Sequence, residues 1–210
     1  MNGRPTLFLL GASRGTGLEI AKLARAQGHR VYAMVRTPSP ALEALGVEMQ
    51  IGDAMDRVAT EAAYRRCGEV EAVISTLGGT PGEPNPNHVG TVHLVDAIVA
   101  CNETPRLVIT SSLGAGESRA YASERLLAAL GAILEAKTKA EAYVAASGLP
   151  YTIVRPGALR DRPASHTALL SPDPGRWGSL SRADLAALLL ATLETAETIG
   201  QTYSAIDPGA

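Results

Sequence analysis

Between the apolar run Thr6 to Leu10 and a helical stretch from Thr16 to Gln27 lies the segment Gly11-Ala12-Ser13-Arg14-Gly15-Thr16-Gly17. Three glycines in seven residues, after an extended run and before a helix, restrict the fold more than any other feature. Glycine accepts backbone conformations and close approaches that a Cβ forbids, so the spacing predicts a tight turn from strand into helix. The helix stops at Gly28, a left-handed cap, and Val31 to Val35 forms a second strand that ends before Arg36-Thr37-Pro38. Strand, helix and strand make one βαβ unit.

The alternation continues through strand 47–51, helix 56–66, strand 72–76, helix 89–101 and strand 107–110. A long helix over about 123–147 and a strand over 151–154 complete six core strands. This pattern predicts an α/β, Rossmann-type fold: one doubly wound parallel sheet with helices on both faces, over residues 1–210 as a single domain. Residues 159–180, rich in proline, serine, aspartate and arginine, read as a loop covering a substrate. A last helix is expected from Ser181 to about Thr195, and an edge strand over Thr202 to Ala205.

In an open α/β sheet of this kind, ligands bind at the carboxyl ends of the strands. There the glycine segment has the setting of a dinucleotide fingerprint: Gly11 for the turn, Gly15 for backbone approach to a diphosphate, Gly17 for close helix–sheet packing. Ser13 and Thr16 belong to the same loop, and the helix start would face the phosphates with free N–H groups. An NAD site usually has an acidic residue at the end of the second strand. Arg36 stands there, no Asp or Glu occurs between Val31 and Ala41, and Arg14 lies within the loop. Either both arginines are solvated, or they meet a 2′-phosphate; the second reading predicts NADP(H).

The residues resemble the short-chain dehydrogenase/reductase superfamily, within it the atypical group of NmrA-like proteins and biliverdin-IXβ/flavin reductases. The likeness rests on the 11–17 loop, Val35-Arg36, Gly52-Asp53, Ile109-Thr110-Ser111-Ser112, Ala136-Lys137 and the run from Ser147 to Gly157. It implies that Asp53 and Ala54 border the adenine and that Thr76, Leu77 and Gly78 pass beside the adenosine ribose. It also implies that Ser112 lies at the active-site wall, that Lys137 holds the nicotinamide ribose, and that Pro156, Gly157 and Leu159 approach the carboxamide.

Well-known members of the superfamily use a Tyr-x-x-x-Lys pair, the tyrosine giving a proton to a carbonyl oxygen. No tyrosine here has a lysine four residues later, and Ile133 stands four residues before Lys137. Lys137 shares a helical stripe with Leu130, Ile133, Ala140 and Val144, which turns it inward; it either meets a bound ribose or snorkels to solvent. Ser111 and Ser112, at the end of the fifth strand, fit either turn chemistry or a catalytic role. Tyr121, ahead of the long helix, is the remaining proton-donor candidate.

The expected activity is NADPH-dependent reduction of a small conjugated acceptor. The rivals are an NADP-binding redox sensor without turnover and an isomerase or cyclase on the same scaffold. Composition narrows the partners. Net charge is -2 with basic residues dispersed, so no nucleic-acid or anionic-membrane partner is expected, only a small molecule and a monomer or small homo-oligomer. The apolar run at Leu7 is too short for a signal peptide and no stretch approaches spanning length, which predicts a cytoplasmic location. Cys67 and Cys101 read as reduced structural residues, and the four histidines lack metal spacing, so no metal is expected.

Overall fold

The computed structural model describes residues 4–80, 82–83 and 85–209. The chain alternates β1 (Leu7–Leu10), α1 (Gly15–Ala26), β2 (Val31–Val35), α2 (Pro40–Ala44), β3 (Glu48–Ile51), α3 (Arg57–Arg65) and β4 (Ala72–Ser75). It continues through α4 (Val89–Ala100), β5 (Arg106–Thr110), α5 (Glu124–Ala146) and β6 (Tyr151–Pro156). Three short strands follow, β7 (Ala158–Arg160), β8 (Leu169–Ser171) and β9 (Ser179–Ser181), before α6 (Arg182–Ala191) and β10 (Gln201–Ile206).

The main sheet has the order β3-β2-β1-β4-β5-β6-β10-β8, parallel throughout except for β8, which runs antiparallel to β10. Strand order reverses between β1 and β4, the crevice where such sheets receive ligands. Alternate residues of each central strand feed opposite cores. Leu7, Leu9, Ile74, Val108 and Val154 pack with α1, α2 and α6, whereas Phe8, Leu10, Val73, Ile109 and Ile153 pack with α3, α4 and α5. Both faces are thereby covered, which is why these strands are continuous apolar runs rather than alternating ones. The α/β Rossmann fold is as expected.

Three expectations need correction. The 159–180 segment is not simply a loop: β7 and β9 pair in parallel as a small second sheet, and β8 closes the edge of the main one. The expected edge strand is β10, which lies inside the sheet, parallel to β6 on one side and bonded to β8 on the other. The last α-helix ends at Ala191 and continues as a 3₁₀ turn, Thr192–Glu194. Each strand of the misread segment is only three residues long and pairs with a distant one, which removes the periodicity a sequence reading depends on.

Candidate functional site

The glycine segment lies at the carboxyl end of β1. Gly11 has φ +80°, and a Cβ there would come within 2.8 Å of Thr76 Oγ1. Gly17 is tighter: a Cβ would sit 2.1 Å from the Gly11 carbonyl oxygen. The Thr76 hydroxyl lies 3.2 Å from the Leu10 and 3.1 Å from the Gly11 carbonyl, tying the end of β4 to the loop. Gly15 has φ +55° and opens α1.

That helix begins without help from its own side chains. Its N-cap, Arg14, makes no side-chain cap bond, and no acidic residue stands in the first turn. By contrast, Asp56, Ser123 and Ser181 cap α3, α5 and α6. Thr16 is 7% exposed and its Oγ1 is buried without a hydrogen-bond partner among the described residues. Donors at a helix start, a backbone no Cβ would fit and an orphaned hydroxyl suit an anionic group such as a diphosphate. Ser13, Arg14 and Arg36 are exposed on the loops that leave β1 and β2, neighbouring strands, at the same edge of the sheet.

Next along that edge, Gly52 donates to the Val35 carbonyl, so the turn after β3 follows the end of β2. Asp53 turns its carboxylate onto the Met55 N–H at 3.0 Å, and the Ala54 carbonyl lies 2.9 Å from Nδ1 of His93 on α4. Leu77 closes against the start of α4, where a Cβ on Gly90 would lie 3.0 Å from it, while Gly78 has open space.

On the far side of the crevice α5 presents Lys137. Its Nζ donates to the Thr110 carbonyl at 2.9 Å, with the Leu77 carbonyl at 3.5 Å, spanning the ends of β5 and β4. Burial pushes this ammonium down to about 8, although Glu141 acts in the opposite direction. Ser75, Asn87, Thr91 and Thr110 line the same small recess, and Thr110 Oγ1 is buried without a partner among the described residues. Of the expected inward stripe, Ala140 and Val144 are buried but Leu130 and Ile133 are only half-buried, the buried position in their place being Leu134.

The two serines have separate fates. Ser111 donates to the Glu141 carboxylate, which is gripped by Arg155 through Nε at 3.0 Å and Nη2 at 2.7 Å. Both ionic side chains are 6% exposed. The fork-to-carboxylate geometry satisfies two charges that would otherwise be costly to bury. Ser112 donates to the Leu113 carbonyl at 3.0 Å. Tyr121, at the end of the 3₁₀ helix Gly116–Tyr121, is 58% exposed against Gly175, and its hydroxyl makes no hydrogen bond among the described residues. The structure therefore does not join it to Lys137.

Pro156 ends β6, and Gly157 is pressed so closely on the Gly178 carbonyl that a Cβ would lie 2.2 Å from that oxygen. Leu159 packs toward the core beside α1 and α6. Sequence reasoning missed Glu141 and Arg155. A glutamate one turn after Lys137 is a signal only once that helix face is known to be inward, and the partner comes from the next strand.

A family model described as NAD(P)H-binding matches residues 11–196. The chain belongs to that family. A Bacillus subtilis (strain 168) protein, YhfK, described as an uncharacterized sugar epimerase, is 31% identical over 94% of this chain and 92% of its own length. Among solved structures, ChuY from Escherichia coli O157:H7, described as an anaerobillin reductase, is 33% identical with a TM-score of 0.87 and 98% of each chain covered. An NAD-dependent epimerase/dehydratase-like protein from Bacillus halodurans is 21% identical, covering 97% of this chain and 94% of that one with a TM-score of 0.84, and shares the fold. The expected likeness to the atypical dehydrogenase/reductase group is borne out, and the glycine corner fits what an NAD(P)H-binding member must hold. Among the described residues no helix is long and apolar enough to cross a membrane.

Proposed function

We propose that this NAD(P)H-binding chain is an NADPH-dependent reductase of a small conjugated acceptor: a flavin, quinone, tetrapyrrole or enone. The observation that carries the reading is that both strand-end serines already donate their protons, Ser111 to Glu141 and Ser112 to the Leu113 carbonyl. The glycine corner would hold the diphosphate, Arg36 and Arg14 the 2′-phosphate, Asp53 and Ala54 the adenine, and Lys137 the nicotinamide ribose. When bound, the reduced nicotinamide supplies hydride. An isolated ketone also needs a positioned acid, a contribution of roughly 10²–10⁴ in rate. Thr110 has a free hydroxyl beside Lys137, but an aliphatic alcohol is a far weaker acid than a tyrosine. A conjugated acceptor spreads the incoming charge and takes its proton from water. The 33% identity to a protein described as an anaerobillin reductase favours the same class.

The test is stopped-flow oxidation of NADPH against a panel of flavins, quinones, enones, anaerobillin and simple ketones, with product masses measured. Turnover confined to conjugated acceptors is expected. Fast ketone turnover that disappears in Tyr121→Phe overturns the acceptor class, and an unchanged product mass without hydride loss identifies an isomerase. NADPH should bind at least about ten-fold more tightly than NADH, and Arg36→Ala should erase most of the difference. Equal affinities in the wild type overturn the cofactor assignment.

A further inference from the structure

Beside the glycine corner, opposite the recess of Lys137, an open groove of about 820 Å³, solvent at its mouth included, is lined by Gly15, Glu19, Arg160, Asp161, Arg162 and Arg182. Arg182 is the first residue of α6, which packs along α1. Its Nε lies 3.3 Å from the position a Cβ on Gly15 would take, so the guanidinium stands directly over the turn that opens α1.

This is an unfavourable place for a cation in isolation. The start of a helix carries about half a positive charge, and here it has Arg14 at the N-cap and no acid in the first turn, Glu19 beyond it being paired with Lys22 at 2.8 Å. The side chain is not needed to start its own helix, because Ser181 caps α6. Among the described residues its ionic partner is Asp161, with Arg182 Nη1 2.8 Å from Oδ1, and Asp161 is 87% exposed while Arg182 is 31% exposed. An exposed pair of this kind contributes little and is easily exchanged. Next to Gly15, the buried hydroxyl of Thr16 has no partner among the described residues. A guanidinium and a helix start without a side-chain cap thus meet at one turn, beside an unpartnered hydroxyl, and an anion there would satisfy the first two.

We propose that Arg182 is a diphosphate ligand of the dinucleotide, gripping from α6 the group that the glycine corner cradles from α1. Asp161 holds the guanidinium while no dinucleotide is bound and gives it up to a diphosphate oxygen on binding. The inference rests on the reading that the glycine corner holds the diphosphate. It adds an anchor outside the glycine segment, blind to the 2′-phosphate and so common to NADPH and NADH.

Calorimetric titration of the full chain with NADPH and with NADH tests it. Arg182→Gln should weaken both by the same factor, about ten-fold or more, whereas Arg36→Ala weakens NADPH selectively. Asp161→Asn removes the ion pair but leaves the guanidinium, and should tighten both about two-fold. Arg182→Lys, which keeps the charge without the fork, should fall between wild type and Arg182→Gln and covers the case in which the glutamine variant fails to fold. Normal binding of both dinucleotides by Arg182→Gln overturns the proposal. So does an Asp161→Asn loss as large as that of Arg182→Gln, since the ion pair and not the contact would then matter. If Gly15→Val also binds both normally, it is the glycine-corner reading that fails.

Discussion

The glycine corner and the segment from β7 to β9 face each other across Arg182, and they are built in opposite ways. In the corner the backbone does the shaping: Gly11 and Gly15 have positive φ, Gly17 has no room for a Cβ, the N-cap Arg14 makes no side-chain cap bond to α1, and the Thr16 hydroxyl has no partner among the described residues. In the segment, side chains do the shaping and, apart from the buried indole N–H of Trp177, which has no partner among the described residues, the polar side chains named next close on their neighbours. Asp184 accepts from Ser165 N–H at 3.0 Å, His166 N–H at 3.0 Å, Ser165 Oγ at 3.1 Å and Ser181 Oγ at 2.7 Å. Asp207 takes Thr167 Oγ1 at 2.8 Å, Gly209 N–H at 3.0 Å and Arg162 at 3.1 Å. Unmatched polar groups suit a ligand; matched ones suit a wall that keeps its place.

The comparison breaks most sharply at Gly15. Gly15→Val should abolish binding of both dinucleotides while circular dichroism stays native. A β-branched residue at φ +55° costs about 1–2 kcal/mol of backbone strain, and its Cβ pushes on Arg182, yet no core contact is lost. A folded Gly15→Val protein that binds NADPH normally would make the corner a turn and nothing more.

A smaller effect is expected on the stapled side. Asp184→Ala leaves two N–H groups and two hydroxyls without their acceptor and should destabilise the fold by roughly 3 kcal/mol in urea unfolding. Burial raises this carboxyl, but the hydrogen bonds from Ser165, Ser181 and His166 outweigh it and hold it below the ordinary aspartate range. Its contribution is therefore present above about pH 4 and is lost as pH falls through the depressed value, so the wild-type advantage over Asp184→Ala should shrink on acidification. A difference below about 0.5 kcal/mol at neutral pH would mean that the segment holds itself by strand pairing alone.

The same contrast explains what could be read from the sequence. The glycine corner and the central strands were legible because steric demand and two-sided burial leave a mark at each position: glycines at fixed spacing, and apolar runs such as Leu7 to Leu10. The five-residue α2 was not, since Pro38 reads as a breaker and too little chain follows to show a period. β7 pairs with β9 through Ala158 and Ser179, and nothing local marks either strand. Within the candidate site, Lys137 stood out on its helical stripe. Glu141 did not, because a glutamate there looks like a solvated face until Arg155 is placed opposite it. Arg182 was invisible for the same reason, its neighbour Gly15 lying at the other end of the chain.

The finest test is Lys137, which combines both designs: a charge set among matched carbonyls, yet at the edge of the recess proposed for the nicotinamide ribose. Burial lowers its ammonium to about 8, against about 10.4 for an exposed lysine. Between those values the unfolded chain binds the proton and the folded chain has released it, so stability should rise with pH in that window relative to a variant without the amine. Below about pH 8 both states are charged, and the folded state bears the cost of the buried ammonium in full. One proton sets a ceiling of about 1.4 kcal/mol per pH unit, and about 1 kcal/mol is expected between pH 8 and 9. Urea unfolding of the dinucleotide-free wild type and of Lys137→Met at pH 7, 8, 9 and 10 gives the comparison, Met filling the stem's volume without the charge. The difference should move by only about 0.3 kcal/mol from pH 7 to 8 and then shift more steeply toward the wild type. A difference independent of pH over the whole range would show that the ammonium is solvated in the free protein, and that Lys137 reaches the recess only when a ligand draws it in.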